Sequence, residues 1–158
     1  MSDVLARHRA FYDAVETGDL ELMESLWADA PTTSCVHPGA EPLTGTESVL
    51  RSWAMLMANV GYIQFFLTDV AVSVLPGAPS AVGQAGEGAG DAVEGDVAVV
   101  TCTENILSGE GVESADSFSG GKAVCTSVLV RSDAGAPWKF WSRHASPVLE
   151  VVEDEGDE

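Results

Sequence analysis

The chain has 158 residues, a length typical of one domain, and its hydrophobic content of 46% is ordinary for a globular protein. Its 25 acidic residues outnumber seven Lys and Arg, and the formal net charge of -18 argues against a nucleic-acid or anionic-membrane surface. No apolar run approaches the roughly 20 residues that span a bilayer, and the first residues lack a signal-peptide pattern. We therefore expect a soluble, cytoplasmic protein that binds neither nucleic acid nor membrane.

The first part of the chain is predicted to be helical. Apolar residues at three- and four-residue spacings indicate helices over residues 3–17 and from Leu20 to just before Pro31. Gly18 suits the end of the first helix, and Asp19 suits the N-cap of the second.

A short strand over residues 34–37 follows and ends at Pro38, which lacks the donor that a ladder needs. A third helix is predicted over residues 45–59, and Thr44 and Glu47 have the spacing of a capping box at its start.

The rest of the chain is predicted to form four long strands, over residues 62–75, 96–107, 122–132 and 137–148. Strict alternation in the last strand places Phe140 and His144 on one face, and Trp141 and Arg143 on the other. Residues 76–95 are predicted to form a mobile low-complexity loop, of which residues 77–94 should be deletable with little loss of stability. Residues 108–121 are predicted to form a Gly- and Ser-rich loop, and residues 150–158 an acidic disordered tail.

Helices followed by strands indicate an α+β fold. Long antiparallel strands in sequence make a meander, and with three N-terminal helices on one face the sheet should curve into a half-open cone. We expect residues 1–149 to form this one domain.

This order of elements, together with several local motifs, resembles the SnoaL-like branch of the nuclear transport factor 2-like superfamily, which includes ketosteroid isomerases, scytalone dehydratases and polyketide cyclases. The motifs are Phe-Tyr-Asp-Ala at 11–14, Gly-Asp-Leu at 18–20, Leu-Trp-Ala-Asp at 26–29, Cys-Val-His-Pro-Gly at 35–39, Leu-Thr-Gly at 43–45 and Trp-Lys-Phe-Trp-Ser-Arg-His-Ala-Ser-Pro at 138–147. The resemblance covers residues 3–148 and implies a cone-shaped α+β barrel. It implies no single activity, because one fold hosts many functions.

The isomerase site transfers only in part. His37 falls where those isomerases carry the aspartate that moves the proton, which makes an imidazole the candidate base. The tyrosine that donates to the oxyanion falls at Phe11, and the acid on the third long strand falls near Thr126 or Ser127. The oxyanion donors are therefore not matched, which argues against steroid isomerisation.

The candidate catalytic residues are His37, His144 and Glu104. The two histidines would face each other across the cone mouth, with Glu104 as acidic partner, because a neutral imidazole can take and return a proton near pH 7. Alternatively, His37 and His144 bond to backbone or a neighbouring strand, and Glu104 faces solvent. The candidate ligand-binding residues, which would line a pocket for a flat apolar molecule unless they are simply core, are Tyr12, Trp27, Trp53, Thr126 and Phe140.

No metal or cofactor is expected. Cys35 and His37 point the same way on a strand, but the chain has no dense ligand motif. The three cysteines, Cys35, Cys102 and Cys125, lie in apolar strand-like contexts and are expected to be reduced and buried.

Two functions remain open on the sequence. One is a cofactor-independent acid–base enzyme, of isomerase, dehydratase or cyclase type, that acts on a small apolar molecule. The other is a non-catalytic ligand-binding or adaptor domain. In either case we expect a homodimer through the outer sheet face, including Trp141 and Arg143.

Overall fold

The computed structural model describes residues 2–75, 95–109 and 118–149. The elements in chain order are α1 (Ser2–Thr17), α2 (Leu20–Leu26), β1 (Ser34–Val36), β2 (Leu43–Thr44), α3 (Thr46–Asn59), β3 (Tyr62–Leu75), β4 (Asp96–Gly109), β5 (Phe118–Arg131) and β6 (Lys139–Pro147). Except for Gly95, the predicted loop over residues 76–95 lies outside the described residues, as does the predicted tail over residues 150–158.

The turn between α1 and α2 forms as the sequence predicts. Gly18 has a φ of 69°, a conformation that glycine adopts without steric cost, and the backbone N–H of Asp19 donates to the carbonyl of Ala14 at 2.9 Å. The Asp19 carboxylate accepts a hydrogen bond from the backbone N–H of Leu22 at 3.0 Å and so caps α2. The two helices therefore form the predicted hairpin, although α2 ends at Leu26 and not just before Pro31 as predicted.

The predicted capping box of α3 is wrong. The N-cap is Gly45, with a φ of 93° and no side-chain cap, while Thr44 lies in β2. The hydroxyl of Thr46 instead donates to the carbonyl of Ala28 at 2.6 Å and accepts from the backbone N–H of Ala30 at 2.9 Å. These bonds fasten the start of α3 to the segment after α2.

All six strands belong to one curved, unclosed sheet of order β2-β1-β6-β5-β4-β3, which confirms the predicted α+β cone fold. The four long strands are antiparallel, as predicted. The short strand β1 runs parallel to β6, with Ser34 opposite Ser142, so the sheet is mixed and not purely antiparallel. This pairing sets the residues after β1 beside the end of the last strand.

The predicted boundaries of the loop over residues 108–121 are wrong. Residues 108 and 109 belong to β4, residues 118–121 belong to β5, and residues 110–117 lie outside the described ranges. Gly120 and Gly121 pair with Leu107 and Ile106 in the ladder. Glycine has a weak strand propensity, but the backbone bonds to β4 hold these residues extended.

Two irregularities change which side chains face inward. In β3 the register shifts between Thr68 and Ala71, and Asp69 there has a φ of 55°. In β6, Phe140 pairs with Leu129 but Ser142 pairs with Val128, so one extra residue, Trp141, is inserted. A bulge of this kind leaves the next residues on the opposite face from the one that strict alternation predicts.

The core lies between the helices and the inner face of the sheet. Its largest buried side chains share an apolar character and come from every layer: Phe11, Tyr12, Met23, Leu26, Trp27, Trp53, Leu129, Trp138 and Phe140. Among the described residues, no helix combines the length and the apolar character that crossing a membrane would require.

Candidate functional site

A buried ion pair lies inside the cone, between α1 and the sheet. The inward positions of β4 are Ala98, Val100, Cys102 and Glu104, so Glu104, predicted as an acidic site residue, faces the interior and is 1% exposed. Its Oε2 accepts a hydrogen bond from the hydroxyl of Tyr12 at 2.6 Å and a second one from Nη2 of Arg143. Tyr12 and Glu104 were both predicted site residues, and Arg143 is the counter-charge that their burial requires.

Arg143 is held in a fixed plane by aromatic rings. Its guanidinium carbon lies 4.6 Å from the ring centre of Phe11 and 5.4 Å from that of Trp53. Cation–π contacts of this kind gain strength where water is excluded. Burial lowers the pKa of Arg143, but Cys125 and Glu104 outweigh that effect and raise it above its ordinary value. The guanidinium is therefore a permanent buried charge.

His37 packs against Trp53, the residue that also contacts Arg143, and its hydrogen bonds fix the tautomer of its ring. Its Nε2 is 2.9 Å from Oγ of Ser52, and the Ser52 hydroxyl donates its one hydrogen to the carbonyl of Val49 at 2.7 Å. The Ser52 oxygen must then accept from His37, so the hydrogen is on Nε2 and Nδ1 carries a lone pair. That Nδ1 is buried and has no hydrogen-bond partner among the described residues.

The imidazole of His37 is neutral near pH 7. Its ring packs edge-on against Trp53 at a centroid distance of 4.7 Å, and the residue is half-buried. Burial lowers the pKa of His37, and the charge of Arg143 lowers it further. The site thus combines a neutral base with a permanent cation.

His8, on α1, is a further buried titratable group near the ion pair. Its ring lies 5.1 Å from that of Tyr12, and its Nε2 is 3.9 Å from the sulfur of Cys102. Burial, and then the charge of Arg143, lower the pKa of His8 to about 4. Burial also raises the pKa of the Cys125 thiol to about 11, which makes that thiol a poor nucleophile.

The predicted inward orientation of His144 and Thr126 is wrong. Both residues are exposed on the outer face of the sheet, and they pair with each other across β5 and β6. The bulge at Trp141 causes this reversal in β6, because Arg143, predicted to face outward, takes the inward position. His37 and His144 therefore do not face each other.

The other predicted ligand-binding residues lie in the core. Trp27 and Phe140 pack together at a centroid distance of 5.6 Å, and both surround the central ring of Phe11. Trp53 also contacts Phe11, at 4.9 Å, and it alone of these residues touches His37 as well. Trp53 therefore links the aromatic core to the candidate site, whereas Trp27 and Phe140 support it from behind.

Sequence reasoning did not propose Arg143 or His8 as site residues. One signal was available for Arg143. An acid on an otherwise apolar strand face needs a buried cation if that face is internal, and Arg143 lies on the neighbouring part of the sheet. Across residues 2–75, 95–109 and 118–149, no three His, Cys, Asp or Glu side chains are grouped so as to hold a metal ion.

Comparison with known proteins identifies the family. The family model described as the SnoaL-like domain matches residues 4–82 and 89–150, which is most of the chain. The chain belongs to the SnoaL-like domain family. Within the nuclear transport factor 2-like superfamily, this SnoaL-like domain is 46% identical to a candidate dehydratase from Streptomyces avermitilis, over 94% of this chain and 96% of that one, with a TM-score of 0.71.

More distant solved structures share the fold of this SnoaL-like domain. A candidate scytalone dehydratase from Novosphingobium aromaticivorans is 8% identical over 97% of this chain and 89% of that one, with a TM-score of 0.68. A candidate association domain of calcium/calmodulin-dependent protein kinase type II from Thiobacillus denitrificans is 24% identical over 91% of this chain and 94% of that one, with a TM-score of 0.58. At these identities the likeness concerns the fold alone. No curated protein matches the chain by sequence.

Proposed function

We propose that this SnoaL-like domain is a cofactor-independent acid–base enzyme of dehydratase type. The observation that carries the proposal is Nδ1 of His37, which is buried, has no hydrogen-bond partner among the described residues and belongs to a neutral ring packed against Trp53. A lone pair in such a position is suited to take a proton from a bound molecule. The candidate dehydratase from Streptomyces avermitilis, 46% identical, supports this reaction type over isomerisation or cyclisation.

The proposed substrate is a small, largely apolar β-hydroxy carbonyl compound. His37 Nδ1 removes a proton from the carbon between the carbonyl and the hydroxyl-bearing carbon, and the C–H electrons move towards the carbonyl oxygen. The β C–O bond then breaks, and the proton on His37 leaves with the hydroxyl group as water. The ring returns to its neutral form, so neither a cofactor nor an external oxidant is needed.

We further propose that the domain acts as a homodimer through the outer sheet face. In a chain of net charge -18, two copies repel each other unless the contact surface is uncharged. The outward positions at the centre of β4, β5 and β6 hold no Asp, Glu, Lys or Arg: Val99, Thr101, Thr103, Val124, Thr126, Val128, Ser142, His144 and Ser146. Val124 is 49% exposed in the middle of this face, as expected of a residue that a partner covers.

A non-catalytic binding domain is the second candidate function. One observation favours it. Glu104, the predicted acidic partner of the base, binds Arg143 and Tyr12, and the hydrogen-bond partner of His37 is the hydroxyl of Ser52. Without a carboxylate partner, the imidazole receives less help in holding a proton. The two functions differ in whether His37 is needed for turnover or only for affinity.

A replacement of His37 distinguishes them. The purified protein is incubated with a panel of small β-hydroxy ketones, and formation of the conjugated enone is followed by ultraviolet absorbance. Loss of a general base slows a reaction by about 100-fold or more, so His37→Gln should abolish most turnover while the fold is retained. Met55→Gln, a change to a side chain that is 61% exposed on α3, serves as the control and should keep full activity.

Equal turnover by the wild type and His37→Gln would rule out His37 as the base. If the wild type turns over none of the compounds but binds them, and His37→Gln changes the affinity by about tenfold or less, the binding function is correct instead.

A further inference from the structure

Two buried N–H donors of the site have no strong acceptor among the described residues. Nε1 of Trp53 and Nε of Arg143 have no hydrogen bond of normal geometry among the described residues, and each residue is 3% exposed. Buried donors are almost always paired, because an unpaired one loses its bond to water without compensation. Two such donors in adjacent side chains therefore need an explanation.

The two donors belong to one small region. The guanidinium carbon of Arg143 is 5.4 Å from the ring centre of Trp53, and both side chains act on the thiol of Cys35. Burial raises the pKa of that thiol, while the charge of Arg143 and the two N–H groups oppose the rise. A thiol sulfur is a weak acceptor, so it satisfies neither donor fully.

The rest of the network leaves Nε of Arg143 available. One terminal nitrogen of the guanidinium is used, because Nη2 donates to Glu104, whose Oε2 is also bonded to Tyr12, whereas Nε has no hydrogen-bond partner among the described residues. Glu104 thus acts as a positioning residue. It fixes the plane of Arg143 and balances its charge, so that the buried cation is tolerated without occupying the Nε–H group.

We infer that Trp53 Nε1–H and Arg143 Nε–H form the oxyanion site of this domain, and that its ligands carry an sp² oxygen that is or becomes anionic, as in an enolate or a carboxylate. The inference deepens the proposed function and, for its catalytic meaning, rests on it. His37 lies against Trp53 at 4.7 Å between ring centres, so base and donors share one aromatic ring. As His37 removes the proton, the negative charge develops on the oxygen that the two donors hold.

The Trp53 and Arg143 donors differ from the oxyanion donors of the ketosteroid isomerases, which are a tyrosine on the first helix and an acid on the third long strand. The positions aligned with those donors hold Phe11 and Thr126 or Ser127, and Thr126 lies on the outer face. The indole and guanidinium donors come instead from α3 and β6. The site therefore has an alternative set of donors on different elements.

The experiment measures binding directly and needs no substrate. The ¹⁵N-labelled protein is titrated with benzoate and, in parallel, with benzyl alcohol, which has a similar ring but no anionic sp² oxygen. Benzoate should move the Trp53 indole N–H and Arg143 Nε–H proton resonances downfield, as hydrogen bonds to a carboxylate form. Benzyl alcohol should leave both resonances nearly in place.

Variants test each donor separately. Trp53→Phe removes the N–H but keeps an aromatic ring against His37, and it should weaken benzoate binding about tenfold, with little effect on benzyl alcohol. Arg143→Lys keeps the charge beside Glu104 but lacks Nε–H, and it should weaken benzoate binding to a similar extent. Trp27→Phe is the matched control with no expected effect, because its Nε1 already donates to the sulfur of Met23 at 3.4 Å.

Failure of benzoate to bind, or equal binding of benzoate by wild type and Trp53→Phe, would overturn the oxyanion site. These results are independent of the turnover assay. A positive titration without any turnover would support the donor pair and reject the dehydratase. Turnover that depends on His37 but not on Trp53 would support the dehydratase and reject the donor pair.

Discussion

Replacing His8 with Phe should remove part of the acid sensitivity of the fold. His8 is 2% exposed, and its pKa falls from 6.5 in the unfolded chain to about 4 in the folded one. The unfolded chain therefore binds the proton first as the pH decreases. The contribution of the neutral ring to stability is complete above pH 6.5 and is lost as the pH falls towards 4.

The size of this loss follows from the two pKa values. Linkage gives a decrease in the free energy of unfolding of about 2 kcal/mol at pH 5 and about 3 kcal/mol at pH 4, relative to neutral pH. Phe does not titrate and keeps an aromatic ring near Tyr12, whose centroid is 5.1 Å from that of His8. The wild type should thus lose about 2 kcal/mol more than His8→Phe between pH 7.5 and pH 5.

The assay is urea denaturation of both proteins at the two pH values, followed by circular dichroism. Groups that titrate in both proteins cancel in the comparison, and so does any constant packing change from the new ring. Met55→Gln, at a side chain 61% exposed on α3, is the control and should change the unfolding free energy by less than about 0.5 kcal/mol at either pH. An equal loss in wild type and His8→Phe would refute the claim that burial keeps His8 neutral.

Two further predictions concern the ion pair and the outer face. Glu104→Ala leaves Arg143 buried without its partner and should lower the unfolding free energy by about 3–5 kcal/mol in urea denaturation, whereas a loss below about 1 kcal/mol would show that Arg143 finds another partner or water. Thr126→Glu places like charges across a symmetric contact and should convert the proposed dimer to a monomer in light scattering at micromolar concentration. Met55→Glu, at a side chain 61% exposed on helix α3, is its control and should remain dimeric.

Much of the fold could be predicted from the sequence. Helical periodicity and the Gly18-Asp19 pair placed the helical hairpin correctly, because these signals are local and each has a single geometric meaning. The order of the long strands followed from their succession along the chain. The parallel pairing of β1 with β6 did not, since nothing near residue 34 specifies a partner more than 100 positions away.

The site was only partly predictable, and the main cause was a single inserted residue. Glu104, predicted as the acidic site residue, does face the interior, because β4 keeps its register with β5 throughout. In β6, the bulge at Trp141 exchanged Arg143 with His144, so the sequence predicted a histidine in the interior where the structure has an arginine. A bulge depends on the partner strand, so period-two alternation in one sequence cannot reveal it.

The pairing of β1 with β6 also has a consequence for the order of events during synthesis. The hydroxyls of Ser34 and Ser142 lie 2.9 Å apart although 108 positions separate them, and the N–H of Ala28 donates to the carbonyl of Phe140 at 2.8 Å. A nascent chain that ends before β6 thus has helices without their covering strand, and its Glu104 lacks Arg143. Because such distant contacts close slowly, the N-terminal half must wait for nearly the whole chain before it can reach its final structure.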